Sequence, residues 1–298
     1  MYDVIVIGAG PAGLTSAIYL ARANKKVLVL EALTYGGQII NTNKIDNYPA
    51  LPHVSGIEFA TNLYNQAIEL GSEIKFEKAI DIDYDKKIIK TNGNEYSAKA
   101  IIIATGSKMK KLGLPNEDKL IGRGVSYCAT CDGMFFKNND VAVIGSGDIA
   151  IEDALYLANI VNKVYLICNR DSLKGNDKQI EEINNKSNIE LLLNSNITKL
   201  IGDNKLDGIE INTKGSNSNI EVVGLFVAIG NVPETNNLVR NITLSENGYI
   251  KAGEDTKTNI EGIFVAGDVR EKYLRQLTTA VADGANAAVK AIEYINRT

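Results

Sequence analysis

Cys128-Ala129-Thr130-Cys131-Asp132-Gly133 places two thiols at a spacing that closes a small disulfide, with a carboxyl group directly after the second. A Cys-x-x-Cys thiol becomes nucleophilic when its thiolate is stabilised by a helix N-terminus, a cation or the partner thiol. Asp132 adds a group able to give or take the proton that such chemistry moves. The alternative use of the pair, structural zinc, needs about four Cys or His ligands. The chain holds three cysteines and one histidine, so only Cys168 and His53 would remain, and redox chemistry is the better reading. Cys168, at a strand end, reads as a small packing residue, and His53, in a loop beside Pro52, as incidental.

Two glycine-rich segments flank the dithiol. Residues 4–14 run Val-Ile-Val-Ile-Gly-Ala-Gly-Pro-Ala-Gly-Leu, and residues 141–151 run Val-Ala-Val-Ile-Gly-Ser-Gly-Asp-Ile-Ala-Ile. In the first, Gly8, Gly10 and Gly13, with Pro11 and Ala12 between them, supply a tight turn, a close backbone approach to a pyrophosphate and a helix–strand contact. The N–H groups opening the next helix hold the anion. Glu31, ending Val27-Leu-Val-Leu, is the acid expected on the ribose. The second copy has Gly145, Gly147 and Ala150, but its next strand, Val164-Tyr-Leu-Ile, ends at Cys168-Asn169-Arg170 with no carboxylate matching Glu31. Arg170 and Lys174 can pair with a 2′-phosphate, which favours NADPH over NADH, although Lys lacks the guanidinium fork.

The elements that must carry these residues follow from patterning. The apolar runs before each turn predict strands buried on both faces in parallel sheets, and the stretches 12–23 and 149–160 predict helices. Strand-like runs over 73–103 predict an antiparallel excursion. Leu112 to Gly124 and the zone after Gly230-Asn231-Val232-Pro233 are rich in breakers and predict hinges. Ile263–Asp268 predicts one more buried strand returning to the first domain, followed by an Ala-rich helix from about Gln276 to Ile295 that packs against cofactor, dimer partner or ordinary core. The expected fold is α/β: two Rossmann-like three-layer nucleotide-binding domains, the second inserted into the first. Residues 1–112 and 241–298 form the first and 113–240 the second, which carries the dithiol. Residues 171–190 read as a solvated helix face and Gly215-Ser-Asn-Ser-Asn219 as a polar hairpin tip.

Bulk properties narrow the function classes. A formal net charge of −4 without a basic block gives no electrostatic footprint for nucleic acid. No apolar run approaches the ~18 residues of a membrane helix. Met1 stands a few residues before the first predicted strand, so no signal peptide is expected, and the chain reads as cytoplasmic.

Cys-Ala-Thr-Cys-Asp-Gly between two such fingerprints resembles the low-molecular-weight thioredoxin reductases of bacteria, over essentially the whole chain. Gly36-Gly37-Gln38, Asp46-Asn47-Tyr48-Pro49, Ala104-Thr105-Gly106, Gly267-Asp268-Val269 and Arg275-Gln276 are further family-like signatures. The resemblance implies a homodimeric flavoprotein that binds FAD in the first domain and NADPH in the inserted one. It places Gly37, Gln38, Asn47, Thr105, Gly106, Gly267, Asp268, Arg275 and Gln276 at the FAD site. It also implies that Cys131 faces the flavin, that Cys128 attacks thioredoxin or a thioredoxin-like protein, and that Asp132 protonates a departing thiolate. The inserted domain would rotate between the two tasks, at hinges near 112–124 and 230–245.

One segment departs from the family pattern. A His-Arg-Arg-x-x-x-Arg run usually meets the 2′-phosphate, and here the stretch is Cys168-Asn169-Arg170-Asp171-Ser172-Leu173-Lys174. Part of the charge-assisted fork is lost, which should weaken the NADPH preference. NADH and reduced ferredoxin therefore stay open as donors, although the intact turn at Gly145, Gly147 and Ala150 argues against complete loss of the nucleotide site. A small-molecule dithiol oxidase and a non-catalytic redox sensor are the remaining alternatives.

Overall fold

The computed structural model describes residues 1–298 apart from 43 and 46 and, at 236 and 237, the side chains. The chain divides into two compact units, Met1–Lys108 with Val232–Thr298, and Met109–Asn231. These divisions fall several residues before the boundaries expected from the breakers at 112/113 and 240/241. Leu112 and Leu114 pack on the second unit's core, while Leu238, Val239 and Ile242 pack on the first's. Side-chain burial at those positions outweighs local Gly/Pro content.

In the first unit, strands Glu73–Lys75, Val27–Leu30, Tyr2–Ile7, Glu95–Ile103 and Ile263–Val265 pair in parallel. Val4–Ile7, Val27–Leu30 and Ile101–Ile103 are buried, as continuous apolar runs require when both sheet faces are covered. Strand Glu95–Ile103 serves twice, since its first residues pair antiparallel with Ile88–Thr91, which in turn pairs with Ala79–Asp83. The antiparallel excursion expected over 73–103 is this three-stranded meander, but Glu73–Lys75 pairs parallel with Val27–Leu30 and belongs to the main sheet. The returning strand is also found, Ile263 to Val265 lying beside Ile101 to Ile103.

Helix Pro11–Arg22 follows the first glycine turn, with Gly10 at its N-cap and proline at its first position, where the missing N–H costs nothing. Helix Leu277–Ile295 lies against it. A Cβ at Gly284 would stand 2.2 Å from the Ala12 carbonyl oxygen, and the Ser16 hydroxyl donates to the Gly284 carbonyl at 3.0 Å. Its small residues Ala280, Gly284, Ala287, Ala288 and Ala291 therefore serve the internal core of this unit.

The second unit repeats the plan. Strands Ile189–Leu192, Lys163–Ile167, Asp140–Ile144, Gly224–Val227 and Val125–Ser126 form a parallel sheet in that order. Helix Asp148–Ala158 follows the second glycine turn. Three antiparallel strands, Ser195–Ile201, Gly208–Thr213 and Ser216–Ile220, form a separate sheet. Here the structure corrects one expectation: Ser216–Asn219 is strand, and the tip is Lys214-Gly215 alone. Both tip residues adopt positive φ, 51° and 93°, the two-residue turn whose twist matches the flanking strands. Polar side chains hid a strand that is exposed along most of its length.

Candidate active site

Cys128 and Cys131 are joined as a disulfide with Cα atoms 5.3 Å apart. Cys128 caps the one-turn helix Ala129–Asp132, and its Sγ accepts the Cys131 N–H at 3.2 Å. The Thr130 hydroxyl lies 3.4 Å from the same sulfur. Behind the dithiol, Ala129 is buried in the core formed with Ala150, Ala154 and Leu157. A Cβ at Gly133 would come within 3.2 Å of Leu157 and Tyr156, so glycine allows the turn to sit on helix Asp148–Ala158.

Asp132 is held from the strand side. The buried Ser126 hydroxyl donates to its Oδ2 at 2.7 Å and accepts the Cys128 N–H at 3.1 Å. Burial pushes the Asp132 carboxyl above the ordinary carboxylate range, and the Ser126 hydrogen bond pulls the other way. The residue before the dithiol is anchored too. The Tyr127 hydroxyl donates to buried Glu117 at 2.5 Å, and Glu117 also accepts the Leu112 and Gly113 N–H groups at 2.9 and 2.8 Å. Burial and then Glu117 raise the Tyr127 phenol. Sequence reading missed Ser126 and Glu117; a serine ending an apolar strand two residues before the thiols was the one available signal.

In the first unit the predicted residues converge on one turn. Gly8 has φ +108°, and a Cβ there would stand 2.3 Å from the Ala104 carbonyl oxygen. At Gly13 a Cβ would stand 1.9 Å from the Gly8 oxygen, whereas at Gly10 it would meet nothing within 4 Å. The first and third glycines are thus required by packing, and the second opens space before the helix N-terminus, as an anion cradle needs. Glu31 accepts the Ala9 N–H at 2.8 Å and the Leu33 N–H at 2.9 Å, which places its carboxylate beside the turn. A Cβ on Gly37 would lie 3.3 Å from the Gly10 Cα, and one on Gly267 would lie 2.8 Å from the Ala12 Cβ.

The other predicted residues of this unit form its rim. Thr105 donates to the Glu234 carbonyl, and the Gly106 carbonyl accepts the Glu234 N–H. Gln276 caps the last helix and accepts from Asn47 at 3.1 Å. Arg275 lies over the Tyr249 ring and donates to the Asp268 carbonyl. Gln38 is exposed on the short helix Gly37–Asn41. Asp46 lies outside the described residues. Asp268 is half-buried, desolvation raises its carboxyl against the pull of Lys272 and Arg275, and its buried Oδ1 has no hydrogen-bond partner among the described residues. A buried acceptor without a donor is costly and points to a missing hydroxyl or N–H.

The second turn copies the first in its glycines. A Cβ at Gly145 would stand 2.4 Å from the Ala228 carbonyl oxygen and 2.6 Å from the Ala150 Cβ, while Gly147 is open except for the Lys174 oxygen at 3.8 Å. The Lys174 N–H donates to the Ser146 carbonyl at 2.7 Å, so the loop bearing Arg170 and Lys174 folds against the turn. Both side chains are exposed. Where Glu31 stands in the first copy, the second has Cys168, buried, with its thiol 3.6 Å from the Ser172 carbonyl.

The sequence matches the family described as pyridine nucleotide-disulphide oxidoreductase over residues 2–284. It is 40% identical to a thioredoxin reductase of Peptoclostridium acidaminophilum, over 99% of this chain and 97% of the relative. It is 42% identical to a thioredoxin reductase of Streptomyces coelicolor, over 98% of this chain and 94% of that one. The fold matches the crystal structure of thioredoxin reductase from Streptococcus pyogenes with a TM-score of 0.94 and 37% identity, covering 100% of this chain and 99% of the other. A family match over nearly the whole chain, full-length relatives at about 40% identity and a matching fold agree: the chain belongs to the pyridine nucleotide-disulphide oxidoreductases and, within them, to the thioredoxin reductases.

Proposed function

We propose that this chain moves two electrons from NADPH, by way of FAD and the Cys128–Cys131 dithiol, to the disulfide of thioredoxin or a thioredoxin-like protein. The observation that carries the reading is the disulfide beside a half-buried carboxyl that accepts a hydrogen bond from Ser126, within a chain holding two strand–glycine turn–helix cradles. The first unit fits FAD: open space over Gly10, Glu31 beside the turn for the ribose, and for a hydroxyl the Asp268 Oδ1, which no donor among the described residues meets. Pro11, Ala12, Gly37, Gln38, Asn47, Thr105, Gly106, Arg275 and Gln276 complete that site in this reading. When bound, FAD supplies the two-electron relay between nicotinamide and disulfide.

The second unit fits a dinucleotide at Gly145, Gly147 and Ala150. Arg170 and Lys174 attract a 2′-phosphate, while Asn169 and Asp171 weaken the discrimination against NADH. In the dithiol, the Cys131 N–H that meets the Cys128 sulfur stabilises a Cys128 thiolate for attack on the partner's disulfide. Cys131 then resolves the mixed disulfide, and Asp132 supplies a proton to the departing sulfur. The reading includes a homodimer and a cytoplasmic site of action. Among the described residues no helix is long and apolar enough to cross a membrane.

Anaerobic flavin bleaching tests the whole route. NADPH should bleach the flavin of the purified protein faster than an equal concentration of NADH, and oxidised thioredoxin should restore the colour. Equal rates would mean that Arg170 and Lys174 do not select the donor. A flavin bleached by dithionite but by neither nucleotide would defeat the nicotinamide assignment and leave a protein donor such as ferredoxin.

A further inference from the structure

The Asp132 carboxyl is held by the Ser126 side chain, whose hydroxyl donates to Oδ2. The serine Oγ in turn accepts the Cys128 N–H, so one serine joins the carboxyl to the backbone of the first thiol. Strand pairing between Val125–Ser126 and Leu225–Phe226 fixes the serine backbone, and its side chain is buried. A carboxyl that accepts at Oδ2 keeps Oδ1 for a proton of its own. Burial favours that protonated form, and no other charged group contributes to the shift, although Asp148, Glu152, Asp153 and Tyr156 lie on the packed helix and Glu117 lies behind Tyr127.

We infer that Ser126 is the positioning residue of the proton-transfer step: it locks Asp132 so that Oδ1 presents the acid proton to the sulfur leaving the dithiol's substrate, and it ties that carboxyl to the Cys128 backbone. The inference rests on reading Asp132 as the acid. In the step, the Cys128 thiolate attacks one sulfur of a disulfide, a Cys128–S bond forms and the substrate S–S bond breaks. The leaving thiolate takes the proton from Asp132. The Cys131 thiolate then attacks the Cys128 sulfur, closing the Cys128–Cys131 disulfide and releasing the second thiolate. The dithiol loses two electrons, the substrate gains them, and the two protons shed by the cysteines end on the two product thiols, one of them through Asp132.

Thiol–disulfide exchange depends on the leaving thiol, and an aromatic thiolate needs no acid whereas an alkyl thiolate does. The holoenzyme is therefore reduced with dithiothreitol, desalted under argon and mixed with either hydroxyethyl disulfide or dithiodipyridine, so that no nicotinamide donor is involved. Ser126→Ala should slow hydroxyethyl disulfide roughly tenfold, the scale of one hydrogen bond to a carboxyl, and leave dithiodipyridine unchanged. In an Asp132→Asn background the same serine substitution should change neither rate, because paired residues acting through one group are not additive. Equal slowing with both disulfides, or a serine effect that persists in the Asp132→Asn background, would show that Ser126 acts through the Cys128 backbone and would overturn the inference while leaving Asp132 as the acid. An Asp132→Asn variant that handles hydroxyethyl disulfide at the parent rate would instead remove the acid itself.

Discussion

Asp153 lies on the helix packed against the dithiol turn, and burial, with a smaller push from Glu152, raises its carboxyl to about 7. A carboxyl whose folded-state pKa exceeds its unfolded value contributes stability that is full below about pH 4 and lost as pH rises through about 7. Asp153→Asn should therefore raise the stability of the protein by about 1–3 kcal/mol near pH 8 and change little near pH 4. Denaturation midpoints of both proteins at the two pH values check this; equal gains at both would mean that desolvation of the charge is not the cause.

At the scale of elements, the turn Gly267–Val269 is fixed by the last helix. Buried Asp283 on that helix accepts from the Gly267 N–H at 3.0 Å, from Arg270 at 2.8 and 3.0 Å and from Lys272 at 2.8 Å. Burial raises the Asp283 carboxyl, but Arg270 and Lys272 outweigh it and hold the group below its ordinary range. Replacing Asp283 by Ala takes the carboxylate away from the buried Lys272 side chain and leaves Arg270 to exposed Glu254 and the Ala252 and Gly253 carbonyls, and should cost about 3–5 kcal/mol. Because the folded carboxyl titrates low, the stability it contributes is present above about pH 4 and disappears as pH falls through its folded value, so the penalty should shrink in acid. Thermal unfolding from neutral to acid pH reads both effects, and a pH-independent penalty would mean that packing, rather than charge, is lost.

At the scale of the molecule, two copies of one fold differ in the residue after their second strand, Glu31 in the first and Cys168 in the second. The glycines are equivalent: an added Cβ would strike the Ala104 carbonyl from Gly8 and the Ala228 carbonyl from Gly145. In the proposed division of labour, Gly8→Ala should give a protein purified without flavin colour. Gly145→Ala should retain the flavin and its bleaching by dithionite, but lose at least tenfold in bleaching by NADPH, about one hydrogen-bonded phosphate's worth of binding. Loss of flavin from the Gly145 variant would place the two cofactors otherwise than proposed.

The glycine turns and the dithiol spacing were legible because local geometry dictates them. A tight turn before a helix N-terminus demands glycine at Gly8 and Gly13 whatever surrounds it, and a dithiol requires two cysteines at a short spacing, so type and position suffice. Apolar runs such as Val4–Ile7 and Ile101–Ile103 likewise announce buried parallel strands. Ser216–Asn219 was lost because an exposed strand has no apolar period to display, and the compact units divide a few residues before 112/113 and 240/241 because Gly and Pro mark local bends while burial of Leu112 and Leu238 decides membership. Residue type and spacing along the chain were enough to specify the fold class, the two cradles and the chemistry expected of Cys128, Cys131 and Asp132. The folded chain was needed to reveal that Ser126, from the edge of a sheet, holds the Asp132 carboxyl, and that Asp283, on the last helix, holds the turn beside Asp268. A hydrogen-bond partner is chosen by distance in space, and spacing along the chain carries that information only within a single turn or element.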